Sequence, residues 1–387
     1  MDEILTGTNV RFTRTLNRRV VIEAVRRHSP ISRADLAHHT GLTHQAVSNI
    51  VGALLEEGYL RRLGRRHVER GQPPVEFALN PDAAHAIGIN LDRDRLVGIR
   101  VDLEGRVVNR IETEVDHPGP EQSVDVITRA GRELASDVPS SRVSILGIGL
   151  AVPTGKWADP ASFPGWHSTV VRNWLERRLG HRVYVENDAT AAAIWEHLYG
   201  RGREFADFFY IHFGYALGGG VISNGTPLYG AHGNAGEFGF TPVFEDVDAF
   251  SHGRSDALQH HVSLSALERW LDDHPEADPV SLTSPAIDSW LTRAARLLVE
   301  PILNVDNLFD PSAILLGGRL PFELRAELVR RVEPNVLRRR IPGKDYPVQL
   351  LPGAAADDAA ALGAATLLLY ERLSPSPQLV RKQVAMR

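Results

Sequence analysis

The residues best placed to do chemistry are the three polar side chains of Glu186-Asn187-Asp188. They follow a short β-branched and aromatic run, Val183-Tyr184-Val185, and they precede an alanine-rich helical pattern. Such a pattern predicts a strand-to-helix junction. At the carboxyl edge of a sheet, where open α/β folds hold ligands, a carboxylate and an amide can bond a polar ligand. Asp is also a favoured N-cap, so Asp188, at or near the helix start, can instead serve only as a cap.

The elements around this junction predict a mixed α/β body. Strand-like and helical runs, read from their periodicity, cover the following stretches: strands at 86–91, 96–101, 107–115, 143–152, 183–185, 207–213, 217–223 and 313–316, and helices at 121–136, 170–179, from 188, 264–271, 286–308 and 359–373. Three consecutive strands followed by alternating helix and strand is the order of the ribonuclease-H-like fold of actin and sugar kinases. A glycine-rich segment, 214–220, lies between two of the strands and allows the backbone to approach a ligand closely.

Composition sets the class of protein and its partners. A chain of 387 residues favours two or three domains. The formal net charge is −5, but residues 1–80 carry 12 Lys and Arg against 8 Asp and Glu, a net of +4 that leaves −9 for the rest. We therefore expect an anionic partner for the first eighty residues. Without cysteine there are no disulfides or thiolate metal sites. No signal peptide or membrane-spanning run is apparent in the sequence, so we expect a cytoplasmic protein with no membrane partner.

The first eighty residues show the pattern of a helix-turn-helix. A helix from Leu16 to His28 stops at Pro30, and Ser32 with Asp35 forms a capping-box-like start to a second helix. A tight turn at Gly41-Leu42 and a cap at Thr43 introduce a third helix through about residue 57. A strand at 58–63, a turn around Gly64 and a returning segment at 70–79 then predict a β-wing.

In this arrangement the third helix lies in the major groove, with its first turns on the base edges. The predicted DNA-contacting residues of that helix are Thr43, His44, Gln45, Ser48 and Asn49. The wing adds Arg61, Arg62 and Gln72, because arginines there suit phosphate or minor-groove contact. The alternative for this region is a helical interaction module that does not bind DNA.

Several motifs in order along the chain resemble the ROK family, which holds sugar-responsive transcriptional repressors and sugar kinases. They are Ser32-Arg33-Ala34-Asp35-Leu36-Ala37, Gly71-Gln72-Pro73, Glu186-Asn187-Asp188-Ala189, Gly218-Gly219-Gly220, Asn234-Ala235-Gly236-Glu237-Phe238-Gly239, Gly317-Gly318 and Gly363-Ala364-Ala365. The resemblance implies an α/β chain with an amino-terminal winged helix-turn-helix and a two-lobed, ribonuclease-H-like ROK body. We predict a winged helix at 1–80, a first lobe at 81–200 completed by helix 359–373, a second lobe at 201–358 and a tail at 374–387.

The resemblance also implies roles for residues of the junction. In family kinases the residue matching Asp188 accepts the sugar hydroxyl proton, and those matching Asn187 and Glu237 bond sugar hydroxyls. Gln259 stands where the family has a sugar-binding Glu, and Phe240 where it has a His that contacts sugar and zinc. These five residues are therefore the predicted sugar-binding site, with altered polarity at the last two positions.

Two departures from the family pattern concern cofactors. The kinases' phosphate loop, of the Asp-x-Gly-x-Thr-Lys type, is replaced by residues 90–95, Asn-Leu-Asp-Arg-Asp-Arg. There Asp92 and Asp94 would repel phosphate, partly offset by Arg93 and Arg95, so ATP is not expected. The family's zinc-site positions hold Phe240, Phe250, His252 and Ala257, and a single histidine does not form a tetrahedral site, so no metal is expected.

The sequence thus predicts a DNA-binding transcriptional regulator with a catalytically inactive, sugar-sensing body. A repressor is favoured over an activator. Its predicted partners are operator DNA, a sugar effector and further copies of itself in a homodimer or homotetramer, which would suit a two-fold operator. Two alternatives remain open. One is an active sugar kinase with a DNA-binding appendage, and the other is a regulator that responds to a protein partner rather than a sugar.

Overall fold

A computed structural model describes residues 10–65, 73–116, 118–136, 143–153, 169–243, 257–344, 346–355 and 357–373. The predictions for Gln72, Phe250, His252 and the tail 374–387 fall outside these ranges. No helix within them is long and apolar enough to cross a membrane.

The amino-terminal region is a winged helix, as predicted. It contains α1 (Val10–His28), β1 (Ile31–Ser32), α2 (Arg33–Thr40), α3 (His44–Glu56), β2 (Leu60–Arg65) and β3 (Val75–Leu79), with the strands in the order β1-β3-β2. Ser32 and Asp35 form a full capping box on α2, and Thr43 caps α3 by accepting from Ala46 N. Gly41 ends α2 with a φ of 67°, a left-handed conformation that glycine adopts without strain.

One local prediction in this region is wrong. Gly64 is not a turn, because β2 continues to Arg65 and the pairing with β3 shifts register between Arg62 and Gly64. Gly64, with a positive φ of 128°, therefore lies at a β-bulge within the strand, and the strand continues beyond it.

The first five-stranded sheet has the order β6-β5-β4-β7-β8, and we call it, with its helices, the first lobe. Its elements are β4 (Ala84–Leu91), β5 (Arg95–Val101), β6 (Val107–Glu114), α4 (Pro120–Ser136), β7 (Ser144–Val152), α5 (Thr169–Leu179), β8 (Val183–Asn187) and α6 (Asp188–Leu198). Strands β4, β7 and β8 run parallel, so that their carboxyl ends meet at one edge. The junction at Asn187 and Asp188 lies on that edge.

The second five-stranded sheet has the order β11-β10-β9-β12-β13 and forms the second lobe. Its elements are β9 (Phe208–Phe213), β10 (Leu217–Ser223), β11 (Thr226–Pro227), α7 (Leu264–Asp272), α8 (Pro285–Phe309), β12 (Ala313–Gly318), α9 (Phe322–Arg339) and β13 (Gln349–Pro352), before α10 (Ala359–Leu373). The sequence pattern did not predict α9 or β13. Pro334 lies inside α9, but the helix continues through it, because Leu324, Leu328, Val332 and Val336 form a buried stripe at helical spacing.

The last helix, α10, packs on the first lobe at van der Waals distance. A Cβ atom added at Gly88 would lie 1.9 Å from the carbonyl oxygen of Ala361, and one at Gly363 would lie 1.9 Å from that of Ala191 on α6. These glycines let α10 lie directly on the sheet and on α6. The two helices are therefore packed backbone to backbone.

The core of the winged helix continues into the first lobe. One cluster of buried apolar side chains joins residues of α1, α3, β4, β5 and α10, among them Val21, Val25, Leu54, Ala86, Ile99 and Leu368. A boundary at residue 80 stays a prediction, since apolar packing crosses it.

Candidate functional site

The strand-to-helix junction is capped by Asn187 rather than by Asp188. The side-chain oxygen of Asn187 accepts a hydrogen bond from Thr190 N at 3.0 Å, and its φ and ψ of −66° and 141° are those of an N-cap. Asp188 is the first residue of α6, and its Oδ1 accepts from Ala189 N at 2.7 Å. In the described part of the chain, no other residue donates to its Oδ2. Asp188 therefore has one oxygen held by the helix and one available to a ligand.

The glycine-rich strand β10 brings the second lobe against this junction. The Cβ position of Gly218 is 4.0 Å from Asp188 Oδ1, and that of Gly219 is 2.6 Å from the carbonyl oxygen of Gly236. Only glycine permits such an approach at Gly219. Glu237, directly after Gly236, is thereby held near enough to Asp188 for the charge of Asp188 to act on it.

Of two further predicted residues, Phe240 lies on the same segment and Gln259 packs beside it. Phe240 ends the single helical turn 238–240 and is half-buried. The Cβ position of Gly239 is 3.2 Å from the Cβ of Gln259, so Gln259 packs beside this turn. Asn187, Asp188, Glu237, Phe240 and Gln259 come from three stretches of sequence. Contacts around Leu217, Gly218 and Gly219 of β10 connect these stretches.

The carboxyl groups of this cleft are poorly solvated. Burial raises the pKa of Asp188, and the charge of Asp92 adds to the rise while His212 opposes it. Burial, together with the charge of Asp188, also raises the pKa of Glu237. Burial lowers the pKa of His212, which lies on β9. A neutral ligand rich in hydroxyl groups suits such a site, because it can donate to the carboxylates without bringing another negative charge.

Glu186 has a structural role next to the site. Its Oε2 accepts a hydrogen bond from the Tyr229 hydroxyl at 2.9 Å, and its Oε1 accepts from Asn187 N at 2.9 Å. Burial raises the pKa of Tyr229, and the negative charge of Glu186 with its hydrogen bond adds to the rise. Tyr229 was not predicted, and it carries no motif that would have identified it.

An ion-pair cluster lies between the lobes at Asp92 and Asp94, within the stretch 90–95 that departs from the kinase motif. Arg319, which follows β12, donates to Asp92 Oδ2 at 2.8 Å and to the two oxygens of Asp94 at 2.7 and 2.5 Å. Tyr215 N also donates to Asp92 Oδ2, at 3.2 Å, and the Arg93 guanidinium stacks over the Tyr215 ring. We call Asp92, Asp94, Tyr215 and Arg319 the inter-lobe latch.

The negative charges of Asp92 and Asp94 are neutralised by a different residue from the one expected. The cation that neutralises Asp92 and Asp94 is Arg319, whereas Arg95, which was expected to help, pairs with Glu112 at 3.1 Å. Burial alone would raise the pKa of Asp94, but hydrogen bonding and the charge of Arg319 outweigh it and lower the pKa. No sequence motif indicates the role of Arg319.

Two of the positions compared with the family's zinc site, Phe240 and Ala257, lie within the described residues. Ala257 is buried and bridges to Pro242, and Phe240 has no ligating atom. Across the described ranges, no three His, Asp or Glu side chains come together as a metal site would require.

The exposed face of α3 carries the predicted base-contacting residues. Thr43, His44, Gln45 and Asn49 are exposed, and Ser48 is half-buried. Gln45 Nε2 donates to Asn49 Oδ1 at 3.1 Å, so the two amides form one hydrogen-bonding unit. The amide donors and acceptors that this bond does not use are available to base edges.

The two predicted wing arginines differ. Both are exposed on β2, but Arg61 Nε donates to Leu79 O at 3.1 Å and its guanidinium lies 3.9 Å from Glu104 in the first lobe. Arg61 is therefore directed toward the body of the protein, and Arg62 is the better candidate for phosphate contact.

The fold and the cleft define a two-lobed, sugar-kinase-like protein with a winged helix at its amino terminus. A model of the ROK family matches residues 86–371, and one of the MarR family matches residues 15–71. The chain belongs to the ROK family. The resemblance proposed from the motifs and the predicted fold class are confirmed.

Similar proteins match most of the chain. The xylose repressor of Bacillus subtilis (strain 168) is 25% identical over 369 residues, which cover 92% of this chain and 96% of that protein. The DNA-binding transcriptional dual regulator NagC of Escherichia coli (strain K12) is 26% identical over 353 residues, 81% and 82% of the two chains.

Two solved structures share the fold. A ROK family transcriptional regulator, a homologue of the E. coli MLC protein, superposes with a TM-score of 0.73 at 20% identity over 93% of this chain and 98% of its own. A ROK family glucokinase from Streptomyces griseus, in complex with glucose and AMPPNP, gives a TM-score of 0.60 at 24% identity, covering 73% of this chain and 98% of its own.

Proposed function

We propose that this protein is a sequence-specific transcriptional repressor whose ROK body binds a sugar and thereby controls DNA binding. The observation that carries the proposal is the combination of a winged helix, with an exposed polar face on α3, and a ROK body. The similar regulator structure spans both parts of the chain, which supports the proposal. A protein that binds DNA works where the DNA is, so we retain the cytoplasm as its location.

We assign the sugar site to Asn187, Asp188, Glu237, Phe240 and Gln259. Support comes from the free Oδ2 of Asp188 and from the raised pKa values of Asp188 and Glu237, because such carboxyl groups gain from hydroxyl donors. The half-buried ring of Phe240 offers an apolar surface for a sugar face. Relatives named xylose repressor and N-acetylglucosamine repressor make D-xylose and N-acetyl-D-glucosamine the first sugars to test.

We further propose that the body does not transfer phosphate. A phosphoryl-transfer site needs groups that bind and neutralise the phosphates. In this chain the corresponding place holds Asp92 and Asp94, and their one strong cationic partner, Arg319, is already paired with both. An ATP-dependent phosphorylation assay with hexoses, pentoses and amino sugars tests this proposal. Turnover that Asp188→Asn abolishes would establish the alternative, an active kinase.

The DNA and sugar roles are tested together. DNA fragments that bind the full chain are first selected from a random library, and their affinity is then measured with and without D-xylose, N-acetyl-D-glucosamine and D-glucose. We expect one of these sugars to weaken binding by about tenfold or more, in the usual range of coupling between two sites. If no DNA sequence is enriched, the protein is not a sequence-specific regulator.

The alternative of a protein effector gives a different result. In that case no sugar in a broad thermal-shift panel raises the Tm of the chain, while selected DNA still binds. The proposed homodimer or homotetramer is tested by light scattering of the free protein and of its complex with a two-fold symmetric site.

A further inference from the structure

Arg26, near the end of α1, connects the winged helix to the helix that begins at the candidate sugar site. Its Nη1 donates to the carbonyl oxygen of Leu198, the last residue of α6, at 3.0 Å. Glu23 holds the same guanidinium through two hydrogen bonds of 2.8 and 2.7 Å. The side chains of Arg26 and Glu23 are only 14% and 17% exposed, so this arrangement is enclosed between α1 and the body.

The contact satisfies a group that the helix itself leaves open. The last carbonyls of a helix have no partner within it, and the partial negative charge at that end favours a cation. At this end, Tyr199 N donates to Trp195 O, and Gly200 N donates to Glu196 O and Trp195 O. The carbonyl of Leu198 is bonded by Arg26, so a residue of the DNA-binding region caps α6.

The position of the Arg26 head group is also set by Tyr199. The guanidinium lies over the Tyr199 ring at 5.3 Å from its centre. The ring also packs tightly against Gly105, since a Cβ atom added at Gly105 would lie only 2.6 Å from it. Tyr199 is therefore enclosed between Arg26 and the turn that joins β5 and β6.

Helix α6 is a short and closely packed element. Its 11 residues make it about 16 Å long, with the Asn187 cap at one end and Leu198 at the other. Ala189, Ala191, Ala192 and Ala193 are fully buried along it. Close packing against α10 at Gly363 and against β10 at Gly220 leaves little space for the helix to bend.

We propose that Arg26 is the positioning residue that transmits ligand occupancy at Asn187 and Asp188 to α1 of the winged helix. A ligand that draws the first turn of α6 toward the second lobe displaces Leu198 by a similar amount. Arg26 and Glu23 then shift α1, and with it the helix-turn-helix whose core α1 shares. This inference rests on the proposed function, because it requires the ligand to differ in affinity for the two arrangements.

Arg26→Met tests the inference, with Arg18→Met as its control. Arg18 lies on the same helix, is paired with Glu57 and stacks over Tyr59 at 5.3 Å, but these partners all belong to the winged helix. The two variants thus lose the same charge and the same kinds of contact. DNA affinity with and without D-xylose, N-acetyl-D-glucosamine or D-glucose, and sugar affinity by calorimetry, are measured for both.

We expect Arg26→Met to keep its sugar affinity while the ratio of DNA affinities without and with sugar falls from about tenfold or more to under about threefold. Arg18→Met should keep the ratio of the unsubstituted protein. An unchanged ratio in Arg26→Met overturns the inference. Should Arg26→Met fail to fold, Arg26→Lys replaces it, since a single ammonium cannot hold Glu23, Leu198 and the Tyr199 ring together.

A second measurement needs no ligand. Asn187→Ala removes the cap of α6, and amide hydrogen exchange is followed over residues 20–28. We expect Asn187→Ala to speed exchange at residues 20–28 when Arg26 is present. In the Arg26→Met background it should have no further effect on exchange there. Equal effects in both backgrounds, or none in either, contradict the inference. If no sugar changes DNA binding by the unsubstituted protein, the proposed function fails, and this exchange experiment still decides the role of Arg26.

Discussion

Arg319 and Asp94 form a two-point ion pair that joins the lobes, with Nη1 and Nη2 of the arginine 2.7 and 2.5 Å from the two carboxylate oxygens. Paired hydrogen bonds of this kind fix orientation as well as distance. Asp92 adds a third contact, and its side chain, like that of Arg319, is largely buried. The two lobes are therefore held together at this point by charged side chains of the protein.

Removing the arginine should destabilise the chain markedly. Arg319→Met leaves Asp92 buried without its cation, and we expect a loss of about 3 kcal/mol in the free energy of unfolding. Chemical denaturation measures the change. Arg178→Met is the matched control, because Arg178 and its partner Asp125 are both well exposed, and its expected cost is about 0–1 kcal/mol. Equal effects of the two substitutions would contradict the latch.

Asp188 should make the free protein less stable at neutral pH. Its pKa in the folded chain is raised by burial, so its contribution to stability is most favourable below the ordinary pKa of 3.8 and declines as pH rises through the raised value. Asp188→Asn should therefore increase the Tm at pH 7 by roughly 2 °C, and the gain should vanish in acid. The same variant should lose sugar binding. Asp125→Asn, on the surface, is the control.

Gln45 and Asn49 should act as one unit in reading DNA. Alanine at either position should cost about 1–3 kcal/mol of binding to the selected sequence and much less on unrelated DNA. Because the two amides bond each other, the double variant should lose less than the sum of the single losses. Fluorescence anisotropy on both DNAs gives these values. Fully additive losses would mean that the pair does not contact DNA as one unit.

The wing arginines should differ in the salt dependence of DNA binding. Arg62→Gln should weaken binding on every sequence and lower the slope of log affinity against log salt by about 1. Arg61→Gln should leave the slope almost unchanged, because that side chain is bonded to Leu79 O and lies near Glu104. Titrations between low and moderate salt measure both slopes. If Arg61→Gln lowered the salt slope as much as Arg62→Gln, Arg61 would contact DNA in the complex.

Local chemistry explains why much of the fold was predictable. Ser32, Asp35 and Thr43 satisfy the first amides of their own helices, so each carries its structural meaning within three residues of sequence. Residues 359–373 form the last helix with the predicted bounds. The glycines of β10 likewise indicated close backbone approach. Where local signals conflicted, as at Pro334 in α9 and Gly64 in β2, tertiary packing and strand pairing decided the outcome.

The sequence by itself determined the family, the winged helix and the identity of the candidate sugar-binding residues, because motifs and caps are short-range patterns. Only the tertiary structure decided which distant charges meet. Arg319 lies 227 residues from Asp92, and Arg26 lies 172 from Leu198. No spacing rule connects such pairs, since an ion pair or a helix-end contact depends on where the folded backbone places two side chains. The inter-lobe latch and the contact between α6 and α1 could therefore be found only in the tertiary structure.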